Sequence, residues 1–204
     1  MAIEDRKRRE FERREEDILT AALELFTEKG LEAVTIEMIA EAAEIGKGTI
    51  YKHFNSKHEI FASLAIRRGN EMLKIIQRGI DGSAPVMHQI RSLIRITWDK
   101  FIEDPKEYYI YKKFENMLAQ DILGLDVFKK LQRVREQNVS LATVLLQKAI
   151  DEGLIIDEPV EYLFLIGYGL ILGTIELLGS YPVEDTERLY TLMEKTIIDG
   201  MMKK

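Results

Sequence analysis

The sequence predicts an all-α protein of nine helices arranged in two domains. Three observations carry this. Apolar residues recur at helical spacing from end to end, no stretch shows a convincing strand pattern, and the breaks fall at glycines, prolines and capping residues.

The first helix is marked by Ile18, Ala21, Ala22, Leu25 and Phe26, and Gly30 stops it. Thr35 has the chemistry of an N-cap, and Ile36, Ile39, Ala40 and Ala43 repeat the helical spacing over a very short helix. A third short helix covers about 47–54. Ser56 and Glu59 form a capping box that opens a fourth, reaching about residue 78. The loop 79–85, with its DGSAP run, is the clearest break. A fifth helix ends at Asp104-Pro105, and a sixth runs to about residue 121. Gly124 precedes a seventh, 125–152, closed by Gly153. Asp157-Glu158-Pro159 starts an apolar eighth, Tyr181-Pro182 ends it, and a ninth reaches Met201. The first three helices are brief and joined by tight turns. Ala40, Ala42 and Ala43 are small enough for a second helix to cross closely, as in a helix-turn-helix. The expected division is residues 1–60 and 61–204, with the boundary inside the fourth helix.

Composition narrows the function. The chain has 204 residues, 31% charged and 46% hydrophobic, an ordinary globular balance able to bury a core. It has no cysteine, which excludes disulfides, thiolate metal sites and cysteine nucleophiles and fits a cytoplasmic location. No secretory signal is visible in MAIEDRKRREFERREED. The most apolar run, YLFLIGYGLILGTI, has fourteen residues. A membrane span needs about twenty, so the expectation is a buried helix and no membrane partner. No metal or cofactor motif and no catalytic constellation is present: His-Glu-x-x-His, Gly-x-Ser-x-Gly and Gly-x-Gly-x-x-Gly are all absent, so the chain is not expected to be an enzyme.

Net charge is −6, yet two basic clusters stand out. Residues 45–58 hold Lys47, Lys52, Lys57, His53 and His58 with no acid. The N-terminal tail holds Arg6, Lys7, Arg8, Arg9, Arg13 and Arg14 against four acids, and is either a basic face or a solvated, frayed helix start.

The stretch EIGKGTIYKHFNSK looks built to hold phosphate. A nucleotide P-loop fails, because Glu41 stands where the first glycine belongs, Gly48 follows Lys47, and the preceding segment is helical. Double-stranded DNA fits. The second helix of a helix-turn-helix enters the major groove by its N-terminal residues, here Lys47, Gly48 and Thr49. Gly48 lets backbone approach the duplex, Lys47 can reach a guanine edge or a phosphate, and Thr49 a phosphate or a thymine methyl. Tyr51, Lys52 and His53 bring donors along the flank, and Lys57 lies in the first turn of the next helix. Ile45, Ile50 and Phe54 form the buried face.

AEIGKGTIYKHFNSKHEIF resembles the signature of the TetR family of bacterial transcriptional regulators. The matching features are Gly48-Thr49-Ile50-Tyr51, the aromatic Phe54, Ser56-Lys57 and Ile60, supported by Phe26, Gly30, Thr35 and Ala40 over about residues 15–61. The resemblance implies phosphate contacts from Tyr51 and Lys57, groove contacts from 47–49, and a backbone contact from Thr35. It also implies that the larger domain dimerises and binds a small effector, and that the protein is a repressor. Two departures matter. Glu44 stands where the family often has glycine, so it must tolerate an unusual backbone angle or the turn differs, and Gly46 replaces a serine cap.

In the larger domain, Trp98, Phe101, Tyr111, Phe114 and Met117, with Tyr168, suit either an adaptable apolar effector pocket or a plain core. Asn138 interrupts an apolar stripe and has either a ligand or a neighbouring helix as partner. The expected effector is apolar, acyl-like or aromatic. The apolar helix is expected to build a homodimer through Leu165, Gly169, Leu172, Gly173 and Glu176, with Leu192 from the last helix; the rival is the central core helix of a monomer. A two-fold dimer would present two recognition helices to a near-palindromic operator, released when effector binding shifts the fourth helix. The alternative is a helical ligand-binding or adaptor protein that does not use its helix-turn-helix.

Overall fold

The computed structural model describes residues 2–104, 106, 108–110, 112–113 and 125–203, with side chains from Glu4 onward and excluding that of Leu125. Eight helices are delimited among them: α1 (Ala2–Lys29), α2 (Ile36–Ala42), α3 (Lys47–Ile50), α4 (Lys57–Gly79), α5 (Val86–Glu103), α6 (Leu125–Asp151), α7 (Val160–Leu178) and α8 (Thr186–Met201). The described residues among 106–113 are helical too, where the sixth expected helix falls. There is no strand among the described residues, only an isolated bridge between Ile155 and Met202. The all-α expectation holds.

The helices cluster into two compact units. The first comprises Met1–Gly69 and Lys106–Val134, the second Asn70–Pro105 and Arg135–Lys204. Residue 60 is thus no break in packing. Ile60 and Phe61 are buried inside the first unit, and Ile110 and Leu131 join them.

The core of the first unit is built by Ile18, Ala22 and Phe26 of α1, Ile39 and Ala40 of α2, Ile50 and Phe54 at α3, and Phe61 and Leu64 of α4. Phe26 and Phe61 meet edge to face, 5.5 Å between centroids. Tyr109 packs edge-on against Phe61 and accepts a hydrogen bond from the Leu31 N–H at 3.0 Å. Lys106 pairs with Glu24 at 2.5 Å.

α2 ends in a Schellman arrangement: the Glu44 N–H donates to Glu41 O and the Ile45 N–H to Ala40 O. This places Glu44 at φ +53°, the unusual angle expected from the missing glycine. A left-handed conformation costs a non-glycine residue roughly 1–2 kcal/mol. Glu44→Gly is therefore expected to raise stability by about 0.5–1 kcal/mol, after the added unfolded-chain entropy of glycine. Urea denaturation checks this, and a lower midpoint would contradict it.

In the second unit, α5 packs on α7 and α8. Trp98 lies against Tyr190, and the Arg95 guanidinium stacks over the same ring at 4.6 Å while pairing with Asp99 and Glu187. The buried Gln89 donates to the Ala84 and Gly82 carbonyls, closing the DGSAP loop onto α5.

α7 corrects one expectation. It is long and apolar enough to cross a membrane by length and composition, but it is not buried within the protomer. Only Leu163, Gly167, Ile171 and Ile175 are buried, one residue per turn. Spacing of four keeps these on one face, so the opposite face points outward. Leu165 is 65% exposed, Ile166 61% and Leu192 of α8 57%. The monomer-core reading of this helix does not hold. The close approach of α7 to α8 is at Gly167, where an added Cβ would lie 3.1 Å from Met201 Cε. Gly169 and Gly173 instead face open space.

Candidate nucleic-acid interface

Three short pieces of backbone create an exposed edge on the first unit. Thr35 is the N-cap of α2, its hydroxyl oxygen accepting from the Met38 N–H at 3.3 Å. The turn at 43–45 then aims α3. Gly46 caps α3 with extended backbone (φ −72°, ψ 142°) and no side-chain bond, as expected. α3 proper is only Lys47–Ile50, but N–H groups of residues 51–54 continue bonding back to carbonyls at 47, 49 and 50, so the helical path reaches Phe54. Ile50 and Phe54 anchor it in the core.

The remaining side chains of α3 lie outside. Lys47, Gly48, Tyr51 and Lys52 are exposed, and Thr49 is half-buried. A Cβ added at Gly48 would meet nothing within 4 Å, so packing within the protein does not require glycine there. The Lys47 ammonium forms an ion pair with Glu37 of α2 and sits 5.8 Å from the Tyr51 ring centroid. This pairing holds the Lys47 ammonium above its ordinary pKa and the Glu37 carboxyl below its own.

His53 and Lys57 have structural partners. The His53 ring stacks on Phe11 of α1, 3.9 Å between centroids, and its buried Nδ1 has no hydrogen-bond partner. Burial pushes the imidazole below its ordinary pKa, which disfavours its charged form. Lys57 donates from Nζ to the Glu32 carbonyl at 2.8 Å and the Val34 carbonyl at 3.1 Å, tying the start of α4 to the segment before Thr35. Ser56 caps α4 by accepting from the Glu59 N–H, while Glu59 reaches back to the Asn55 N–H instead of that of Ser56. The fold thus places Thr35 at the start of α2, Lys47, Gly48, Thr49, Tyr51 and Lys52 along α3 and the turn after it, and Lys57 at the start of α4, with His53 stacked on α1. Sequence reasoning passed over Glu37 and Phe11. Phe11 had a visible signal, a lone aromatic in a charged helix. Glu37 had none, because its partner is ten residues away across the turn.

The arrangement is a helix-turn-helix with a glycine-tipped second helix. Residues 18–64 match the family model of bacterial regulatory proteins of the tetR family. Those residues carry the DNA-binding domain of the TetR family of bacterial regulators. It is 26% identical over 186 residues to the uncharacterized HTH-type transcriptional regulator YhgD of Bacillus subtilis, covering 90% of this chain and 94% of that one. It is 27% identical over 117 residues to IcaR of Staphylococcus epidermidis, the negative transcriptional regulator of the biofilm operon icaADBC, covering 57% and 60%. The fold is similar to that of the transcriptional regulator FadR of Bacillus subtilis in complex with stearoyl-CoA, with TM-score 0.75, 20% identity, and 91% and 98% of the two chains covered. The family and these relatives are transcriptional regulators rather than enzymes, which supports a DNA-binding regulator here.

The residues singled out for an effector divide in the structure. Trp98 and Phe101 are buried in the second unit, 2% and 7% exposed. Tyr168 is half-buried and stacks on Phe164 at 5.2 Å, and Asn138 is half-buried on α6. Tyr111, Phe114 and Met117 lie outside the described residues.

Proposed function

We propose that this TetR-family regulator is a cytoplasmic, homodimeric repressor that leaves a near-palindromic operator when a small, largely apolar effector binds its C-terminal part. The observation that carries the reading is the pairing of two exposed surfaces of opposite character. One is the α3 edge, with cations and a bare glycine tip. The other is the outer face of α7, where Tyr162, Leu165, Ile166, Leu170 and Leu177 are exposed and Leu192 adds from α8. Several large apolar side chains in water on one helix face call for a cover. A second copy supplies it isologously and gives the recognition helices their two-fold relation. Glu176, exposed on the same helix, is costly in lipid but tolerable at the rim of a protein interface.

Functionally, residues 1–60 hold the DNA and 61–204 dimerise and sense. Lys47, Gly48 and Thr49 meet the groove; Tyr51, Lys52 and Lys57 meet phosphates, with Thr35 on the flanking backbone. Lys57 does so while bracing the loop before Thr35. Repression is the direction named for IcaR, and the acyl-like effector follows the stearoyl-CoA bound by FadR. Trp98, Phe101, Tyr168 and Asn138 are the described candidates for lining its site. A ligand releases DNA only by binding the released state more tightly. Deleting the gene is expected to raise transcription of a neighbouring promoter bound by the protein, and adding long-chain acyl-CoA to weaken that binding. Lower transcription on deletion would make the protein an activator, and unchanged DNA affinity at saturating acyl-CoA would exclude this effector class.

A further inference from the structure

Glu37 is the one carboxylate paired to a recognition-helix cation among the described residues of the α3 edge. It lies on α2, two residues after the N-cap Thr35, and is well exposed. Its carboxylate pairs with the Lys47 ammonium across the turn. A residue assigned to DNA on the second helix of the motif is therefore held by an acid of the first helix in the free protein. DNA brings phosphates to the same edge. A phosphate or a guanine edge that takes Lys47 must first displace Glu37, and the freed carboxylate then sits beside the duplex.

We propose that Glu37 is an internal competitor for DNA, neutralising Lys47 in the free protein so that every duplex must displace it. The proposal rests on the reading of Lys47 as a DNA contact. The consequence is quantitative. A lysine that neutralises a phosphate releases a counterion from the duplex. Here the liberated Glu37 recruits a cation in exchange, which cancels about one ion from the salt dependence. Because every duplex must displace it, the pair lowers affinity for specific and random DNA alike. A surface ion pair is weak enough to be exchanged without a folding cost.

The test uses full-length protein, a fluorescently labelled random-sequence duplex and a salt series, with Glu37→Gln, Lys47→Met and the double variant. Glutamine keeps the shape without the charge; matching thermal midpoints check that folding is kept. Glu37→Gln is expected to tighten binding about two- to fivefold at moderate salt and to steepen the log–log salt slope by about one. Lys47→Met is expected to weaken binding and make the slope shallower. In the Lys47→Met background, Glu37→Gln is expected to lose most of its effect. If Lys47→Met leaves affinity and slope unchanged, Lys47 is no DNA contact and the proposal falls with that reading. If Lys47→Met weakens binding but Glu37→Gln does not tighten it, Glu37 holds Lys47 in place and the competition alone is overturned. Equal tightening in both backgrounds would reduce Glu37 to a repelling surface charge and also overturn it.

Discussion

Leu165→Arg is expected to leave a folded monomer that has lost specific operator binding. Leu165 is 65% exposed in the single chain, so the protomer's own core does not need it. In a two-fold interface the same position enters twice. Burying a leucine contributes about 1.5–3 kcal/mol, so two copies contribute about 3–6. Two unpaired guanidinium groups in an apolar seam add a desolvation penalty. The dimer dissociation constant is expected to rise by at least about a thousandfold. Losing the second half-site then removes most of the operator affinity, leaving weak, salt-sensitive contact. Sedimentation velocity with circular dichroism reads the first part and a DNA titration the second. Unchanged dimers at the same concentration would show that the α7 face is covered by something other than a second copy.

Gly48→Leu is expected to separate stability from DNA binding in opposite directions. A Cβ at this position meets no atom within 4 Å, and the backbone is ordinary right-handed helix, so leucine causes no internal clash. Replacing a helical glycine raises stability by up to about 1 kcal/mol. On the proposed reading the same side chain stands at the tip that enters the groove, where it would hold backbone off the duplex. DNA affinity is expected to fall at least about tenfold, because the groove contacts of Lys47 and Thr49 depend on that approach. Thermal unfolding together with titration of labelled DNA checks both halves. Full DNA affinity in a stable Gly48→Leu protein would place the groove-facing surface elsewhere.

Much of this was legible in the sequence because the decisive signals are local. Thr35, Gly46 and Ser56 mark helix starts by their own chemistry, and each sits where that chemistry places it. The strained Glu44 was visible through the family resemblance, which often has glycine at that position of the turn. Signals that depend on a third dimension were not legible. α7 is apolar on nearly every side, so periodicity could not say which face the protomer covers; only its packing on α5 and α8 decided that. The close contact at Gly167 was hidden for the same reason, behind the more conspicuous Gly169 and Gly173. Lys57 was legible as a cation in the first turn of α4, but its reach to two carbonyls depends on where the loop at 32–34 passes. His53 offers donors in the sequence, but the stacking of Phe11, forty-two positions earlier, on its ring depends on the path of α1.

The most direct test of the account is a titration of the protein into labelled DNA from upstream of its own coding region, across a salt series, with stoichiometry determined at saturation. The account predicts saturable binding by two protomers per site, tighter than to unrelated DNA, steeply weakened by salt and lost in Gly48→Leu. Binding no tighter than to unrelated DNA, together with no enriched sequence in a selection from genomic fragments, would contradict it.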